Sequence, residues 1–219
     1  QSGKTANFTS VISKAADRNF RVIIVLSGLT NVLREQTQER LEREIISLNP
    51  DKWVPWTDKE SDLTRNAITR NMNALVADGG MKRHLAVIKK NTSRLNTLLA
   101  MLKKFPQPLK QATPILIIDD ECDQASVNTA KRQARATRIN GLVNDIINEM
   151  PRVAYIGYTA TPYANVLIDP RQEDLYPKDF IIALPRPTAY FGPERIFGRY
   201  MLEADDDDFE SDTLDMVRP

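Results

Sequence analysis

Three short stretches carry residue types that could do chemistry together. The first is Ile115-Leu116-Ile117-Ile118-Asp119-Asp120-Glu121-Cys122-Asp123, in which an aliphatic run passes straight into carboxylates. Consecutive aliphatics read as a strand buried on both faces of a parallel sheet. Burying that much negative charge without a partner is costly, so the acids are expected at the strand's C-terminal edge, facing a cation. An Asp placed there can hold a divalent ion, and a neighbouring Glu can orient a water and take its proton. The second stretch is the chain start, Gln1-Ser2-Gly3-Lys4-Thr5, followed by an amphipathic run with Phe8, Val11, Ile12 and Ala15. Gly-Lys-Thr opening a helix offers backbone N–H groups, an ammonium and a hydroxyl to a phosphate chain and its metal. The third is Gly157-Tyr158-Thr159-Ala160-Thr161-Pro162, after the apolar run Val153 to Ile156. Taken singly, the first two have bland readings: a strand before a solvated acidic loop, and a tripeptide common by chance.

Taken together, the three have the forms of the Walker B strand, the second half of a Walker A loop (G-x-x-x-x-G-K-[ST]) and the S/T-A-T-P motif. The first Walker A glycine would lie before Gln1. In this order they resemble the first RecA-like domain of a superfamily 2 helicase or translocase, with Asp120-Glu121-Cys122-Asp123 as its D-E-x-D box. The resemblance implies a nucleotide-binding role for Gln1, Ser2, Gly3, Lys4 and Thr5, with ATP and magnesium as cofactors. It implies that Thr5 and Asp120 ligate magnesium and that Glu121 is the catalytic base, with Asp120 and Lys4 beside it. It gives Asp123, Thr159 and Thr161 the coupling of nucleotide state to a nucleic-acid track. Asp119 to Ser126 (DDECDQAS) and Gly157 to Asn165 (GYTATPYAN) resemble more narrowly the helicase-like NTPase found with the Z-one endonuclease domain in bacterial restriction and phage-defence systems. Leu184-Pro185-Arg186-Pro187 and Tyr190-Phe191-Gly192 fit the same group.

The fold implied is α/β: a RecA-like P-loop NTPase domain with a mainly parallel sheet and helices on both faces. Residues 1–168 are expected to form this ATP-binding domain, lacking the strand that would precede the Walker A loop. Residues 169–219 are expected to be a linker, an extra strand at Phe180 to Leu184 and an acidic tail. That tail would lead to absent downstream domains, a second RecA-like domain and an endonuclease. An arginine finger from such a second domain contributes roughly 10³–10⁵ in rate, so this chain alone is expected to hydrolyse ATP poorly.

Composition narrows the chemistry. A single cysteine excludes an intramolecular disulfide or a cysteine-based zinc site, and a single histidine, His84, disfavours histidine-centred catalysis. No apolar run approaches the roughly 20 residues of a membrane span, so no membrane partner is expected, and the cytoplasm is the default location. The formal net charge of +1 hides an asymmetry, because Glu203 to Asp215 holds eight acids and no base. Gly79 to Ile118 holds eight Lys or Arg and no acid, which suggests a polyanion partner, DNA more readily than RNA in this context. The plain alternative is a solvated helix face.

Along the chain, periodicity predicts a helix from Lys4 to about Asp17, a strand at Val22 to Leu26, and a long helix with Leu33, Leu41, Ile45 and Leu48 on one face. Leu33-Arg34-Glu35-Gln36 in that helix resembles the helicase family's motif Ia, which implies a nucleic-acid backbone contact for Arg34; the alternative is a plain surface residue, and no acid sits at helical spacing to pair with it. Asn49 to Gly80 reads as an irregular excursion with two packing tryptophans, then a helix from Asp62 to Val76 ending at Gly79-Gly80. Leu85 to Ile88 is a strand leading to Lys89, Lys90 and Arg94, the other nucleic-acid candidates, with a helix through Leu95, Leu98, Leu99 and Leu102. Gln124 to Thr137 reads as a polar loop and Ile139 to Met150 as a helix. Two other functions stay open: an NTP-gated switch or scaffold that recruits a nuclease without translocating, and a P-loop kinase, against which the Thr-Ala-Thr-Pro motif argues.

Overall fold

The computed structural model describes residues 3–122, 130–160, 175 and 177–185. Five strands, β1 (Val22–Ser27), β2 (Trp53–Pro55), β3 (Arg83–Lys89), β4 (Ile115–Asp120) and β5 (Val153–Tyr158), form one sheet in the order β2-β3-β1-β4-β5. Every pairing is parallel. Around it pack α1 (Lys4–Asp17), α2 (Asn31–Leu41), α3 (Ala67–Ala77), α4 (Thr92–Lys103), α5 (Gln107–Ala112) and α6 (Ala130–Glu149).

Alternation along the strands divides the core in two. Val22, Ile24 and Leu26 of β1, Ala86 and Ile88 of β3 and Ile115 and Ile117 of β4 pack with Leu75 of α3, Leu95, Leu98 and Leu102 of α4 and Val143 and Ile146 of α6. The residues between them, Ile23, Val25, Leu85, Val87, Leu116 and Ile118, pack with Phe8 and Ile12 of α1, Leu41 of α2 and Ile45. A parallel sheet covered on both faces requires apolar residues at every strand position, and β1 is buried throughout. Burying each such side chain fully is worth about 1.5–3 kcal/mol, which fixes the strand registers. The expected α/β fold with helices on both faces is the one observed.

Four local expectations are corrected. Leu33 and Leu48 do not share the buried face of the second helix; they are 38% and 70% exposed. The buried positions are Arg34, Gln38 and Leu41, and the helix then widens into a π-helical turn, Glu42–Ile46, that resets the phase so that Ile45 faces the core. The excursion after Asn49 contributes a strand, β2, and both tryptophans are buried. The segment read as a loop up to Thr137 is helical from Ala130, in keeping with the high helix propensity of its Ala, Arg, Lys and Gln residues. Phe180 to Leu184 forms no strand, and Phe180, Ile181 and Ile182 are more than half exposed. No helix among the described residues is long and apolar enough to cross a membrane.

His84 has a structural role. Trp56 Nε1 donates to its Nδ1 at 2.9 Å, so the ring proton sits on Nε2, which donates to Asp78 Oδ2 at 2.6 Å. Asp78 also accepts from Arg21 Nη2 and from the Gly80 amide, both at 2.7 Å. Gly79 and Gly80 supply the positive φ values, 60° and 90°, that turn the chain back toward β3. Burial pushes the His84 pKa down, with Arg21 and Lys82 acting in the same direction and Asp78 opposing. For Asp78, burial acts upward, but the His84 and Gly80 hydrogen bonds and the Arg21 charge outweigh it and hold the carboxyl below its ordinary value.

The folded state therefore disfavours the imidazolium, and this part of the stability is intact above the unfolded-state value of about 6.5 and lost as pH falls through the folded one. The Asp78 contribution is present above its ordinary range and lost on further acidification. We predict that the melting temperature falls as pH drops below about 6.5, and that His84→Gln, which keeps an acceptor and a donor but cannot titrate, flattens that slope in a circular-dichroism melt.

Candidate functional site

The strand periodicity that divides the core also divides the two pairs of adjacent charged residues. Asp119 lies on the α4–α6 face of β4 and Asp120 on the α1 face; Lys89, the last residue of β3, and Lys90 just beyond it separate in the same way. Asp119 meets Lys90, whereas Asp120 meets Lys4.

On the α1 face, the start of α1 comes against the end of β4. Lys4 Nζ lies 3.4 Å from Asp120 Oδ1, with side chains 13% and 20% exposed. The contact is an ion pair without hydrogen-bond alignment, because Asp120 Oδ1 is buried and has no hydrogen-bond donor among the described residues. Gly3 precedes the helix at φ 110°, a conformation that favours glycine, and no side chain caps the helix start. Tyr158, in register with Asp120, closes the site from β5: its hydroxyl donates to Asn7 Oδ1 at 2.7 Å and its ring meets Phe8 edge-on at 5.8 Å. Burial and the nearby Asp120 charge push the Tyr158 pKa up to about 12, so the hydroxyl remains a donor. An under-coordinated carboxylate oxygen facing an ammonium at an uncapped helix start suits an anion together with a cation.

On the other face, Lys90 is 2% exposed and its Nζ donates to Asp119 Oδ1 at 2.7 Å, while Tyr155 donates its hydroxyl to Asp119 Oδ2 at 2.8 Å. Burial pushes the Asp119 carboxyl up from its ordinary value, and Lys90 and Tyr155 pull it back. Beyond β4 the chain turns sharply: Glu121 has φ 59°, a left-handed conformation uncommon outside glycine. Glu121 lines a cleft of about 190 Å³ with Gly28, Leu33, Gln36, Thr37, Arg40 and Asp120. Gly28 makes room for it, since a Cβ there would lie 3.1 Å from Glu121 Oε2 and 2.9 Å from Leu33 Cδ1. Gly157 similarly admits Cys122, whose Sγ would lie 2.9 Å from an added Cβ.

A second cleft, of about 160 Å³, opens beyond the ends of β1 and β3 and is lined by Arg34, Lys89 and Arg94 together with Asn31, Asn91, Glu35, Glu60 and Asp62. Three of the four sequence candidates for nucleic-acid contact thus share one cleft, and the fourth, Lys90, turns inward. The three are differently held. Lys89 Nζ donates to Asn31 Oδ1 at 2.8 Å near the surface. Arg94 donates to the Leu63 carbonyl at 2.8 Å and lies 3.4 Å from Asp62 Oδ2. Arg34 is 3% exposed and donates to the Asp58 carbonyl at 2.9 Å and to the Lys59 carbonyl. The basic stretch has no acids of its own, but the fold brings Asp62, Glu60 and Glu35 to it. Burial pushes the Asp62 carboxyl up against the opposing Leu63 and Lys89 amides and the arginines.

Thr159 follows β5 and is half-buried. Gln1, Ser2, Asp123 and Thr161, and the Thr5 side chain, lie outside what the structure describes. Sequence reasoning missed Tyr155, Tyr158, Asn7 and Gly28; the odd spacing of the two tyrosines in Val153–Tyr158, which puts them on opposite faces of the strand, was the one available signal for the first two. No family model and no curated protein matches the chain.

The unequal burial of the cleft cations predicts unequal costs. Arg34→Ala leaves two backbone carbonyls without their charged donor and should lower unfolding free energy by about 2–3 kcal/mol. Lys89→Ala should stay within about 0.5 kcal/mol. Urea unfolding of both variants checks this before either is used to read ligand binding.

Proposed function

We propose that this chain is the ATP-binding and hydrolysing motor domain, RecA-like in fold, of a DNA-directed helicase or translocase of a restriction or phage-defence system. The observation that carries the reading is the approach of Lys4 to Asp120, whose buried carboxylate oxygen has no hydrogen-bond partner among the described residues, directly before the left-handed Glu121. Five parallel strands with these acids at a C-terminal strand end support the RecA-like assignment, since ligands of open α/β sheets bind at that edge.

In this reading Lys4 binds the outer phosphates, and the first amides of α1 receive the remaining phosphate charge. Asp120, with Thr5, would hold magnesium, which neutralises charge on the phosphates when bound. Glu121 orients the attacking water in its cleft and accepts the proton. Tyr158, fixed by Asn7, limits water access behind Lys4 and Asp120. Lys89 and Arg94, with Arg34 behind them, grip the phosphates of a nucleic acid crossing the ends of β1 and β3, without reading its sequence. Downstream domains, a second RecA-like unit and an endonuclease, would complete the motor.

Glu121→Gln should keep ATP bound while slowing steady-state hydrolysis by about 10²–10⁴-fold, because the amide cannot take the water's proton. ATP turnover by the full-length protein, with and without DNA, is the deciding measurement. Wild-type turnover in the variant would overturn the hydrolytic site, and turnover indifferent to DNA would favour a nucleotide-gated scaffold.

Lys89→Ala should reduce the slope of log affinity against log salt by about 0.7–0.9 for unrelated DNA sequences alike, with ATP affinity retained. A salt titration of the full-length protein reads it, and an unchanged slope would move the track away from this cleft.

A further inference from the structure

We propose that Lys90 is a positioning residue for Glu121: from beyond β3, its ammonium holds both Asp119 and the Glu121 carbonyl and so fixes the turn that directs the Glu121 carboxylate into its cleft. The inference rests on the hydrolytic reading of Glu121 given above. Lys90 is 2% exposed, and an ammonium excluded from water must be fully engaged by its surroundings. Its contacts are Asp119 Oδ1 at 2.7 Å and the Glu121 carbonyl at 3.5 Å. The second is at the long limit of a hydrogen bond, and its strength comes from the full charge of the donor in a site with little water.

Glu121 needs such a hold. At φ 59° it is in a conformation that persists only where neighbours over-determine it. The residues around it are fixed one by one: Asp119 by Lys90 and Tyr155, the Glu121 carbonyl by Lys90, and the Cys122 amide by the Tyr158 carbonyl at 3.1 Å. Lys90 is the one side chain common to two of these holds, and it approaches from β3, two strands away from β4 across β1. A general base misplaced by about 1 Å can lose on the order of 10²-fold in rate. The interaction therefore sets kcat and leaves ATP affinity, carried by Lys4 and Asp120, nearly untouched.

The test uses the full-length protein with Lys90→Met, Asp119→Leu and Tyr155→Phe combined, so that the whole buried polar network is replaced by apolar groups of similar volume and no charge is left alone. Cooperative urea unfolding verifies the fold, and titration with a fluorescent ATP analogue reads affinity. The expected result is a kcat lower by about 10–10²-fold with nucleotide affinity within about threefold, and no further loss when the same replacements are made in Glu121→Gln. A kcat within about twofold of wild type, or an equal loss superimposed on Glu121→Gln, overturns the proposal. If Glu121→Gln alone leaves turnover unchanged, the hydrolytic reading fails and takes this role with it; a slow Glu121→Gln beside a fully active triple variant removes Lys90 alone. If the triple variant does not unfold cooperatively, Lys90→Arg decides. It retains a charge for Asp119 but brings a planar fork to the Glu121 carbonyl, and an undiminished kcat there overturns the role equally.

Discussion

A lysine ammonium and an aspartate carboxylate meet at 2.7 Å in the interior, with side chains 3% and 0% exposed. Desolvating two charges is expensive, and their attraction offsets that cost only with good geometry and with the remaining oxygen satisfied. Tyr155 provides that satisfaction from β5. The pair therefore demands that β3, β4 and β5 end at matched heights, and the parallel registers through β1 deliver this: Val22 faces both His84 and Ile115, and Ile115 faces Val153. Removing one partner would leave an uncompensated buried charge at a cost of about 3–5 kcal/mol, far more than any surface pair in the chain contributes.

What that arrangement sustains is strain at a useful place. A non-glycine residue in the left-handed region costs on the order of 1–3 kcal/mol, and Glu121 occupies it directly beyond the last residue of β4. The buried pair before it, the Tyr158 carbonyl that accepts from the Cys122 amide after it and the absent side chain at Gly28 are the features that hold it there. The opposite end of the sheet, where His84, Asp78, Trp56 and Arg21 interlock, works as a brace; Asn19 there is also left-handed, at φ 65°, and its Oδ1 accepts from Arg83 Nη2 at 2.9 Å.

Much of this was legible in the residues. Strands β1, β3, β4 and β5 are written as aliphatic runs, and the acids beyond Ile118 announced a strand end that must face positive charge. Less legible was which lysine that charge would be. Lys89 and Lys90 look equivalent in the chain, and only the period of two, carried through a known register, sends one to the cleft and the other inward. Arg34 and Gln38 were hidden for a related reason. Polar residues on a helix face read as solvent-exposed, whereas here the backbone of Thr57, Asp58 and Lys59 comes close enough to satisfy them. Long-range backbone acceptors leave no mark in local sequence, and the π-helical turn that shifts the helix phase leaves none either.

The two borders of the sheet are unlike each other. On one side, β2 is three residues long and ends in Pro55, which lacks an amide to donate, so that border is closed to further pairing. On the other, β5 is six residues long, contains no proline and, among the described residues, has a strand neighbour only in β4. Its outward amides and carbonyls form a regular ladder with no strand partner among the described residues. Among the described residues the sheet therefore has one border that still offers a strand's worth of backbone hydrogen-bonding groups, at β5, and one that does not, at β2. That open border runs past Gly157 and Tyr158, and so lies next to the Lys4–Asp120 pair.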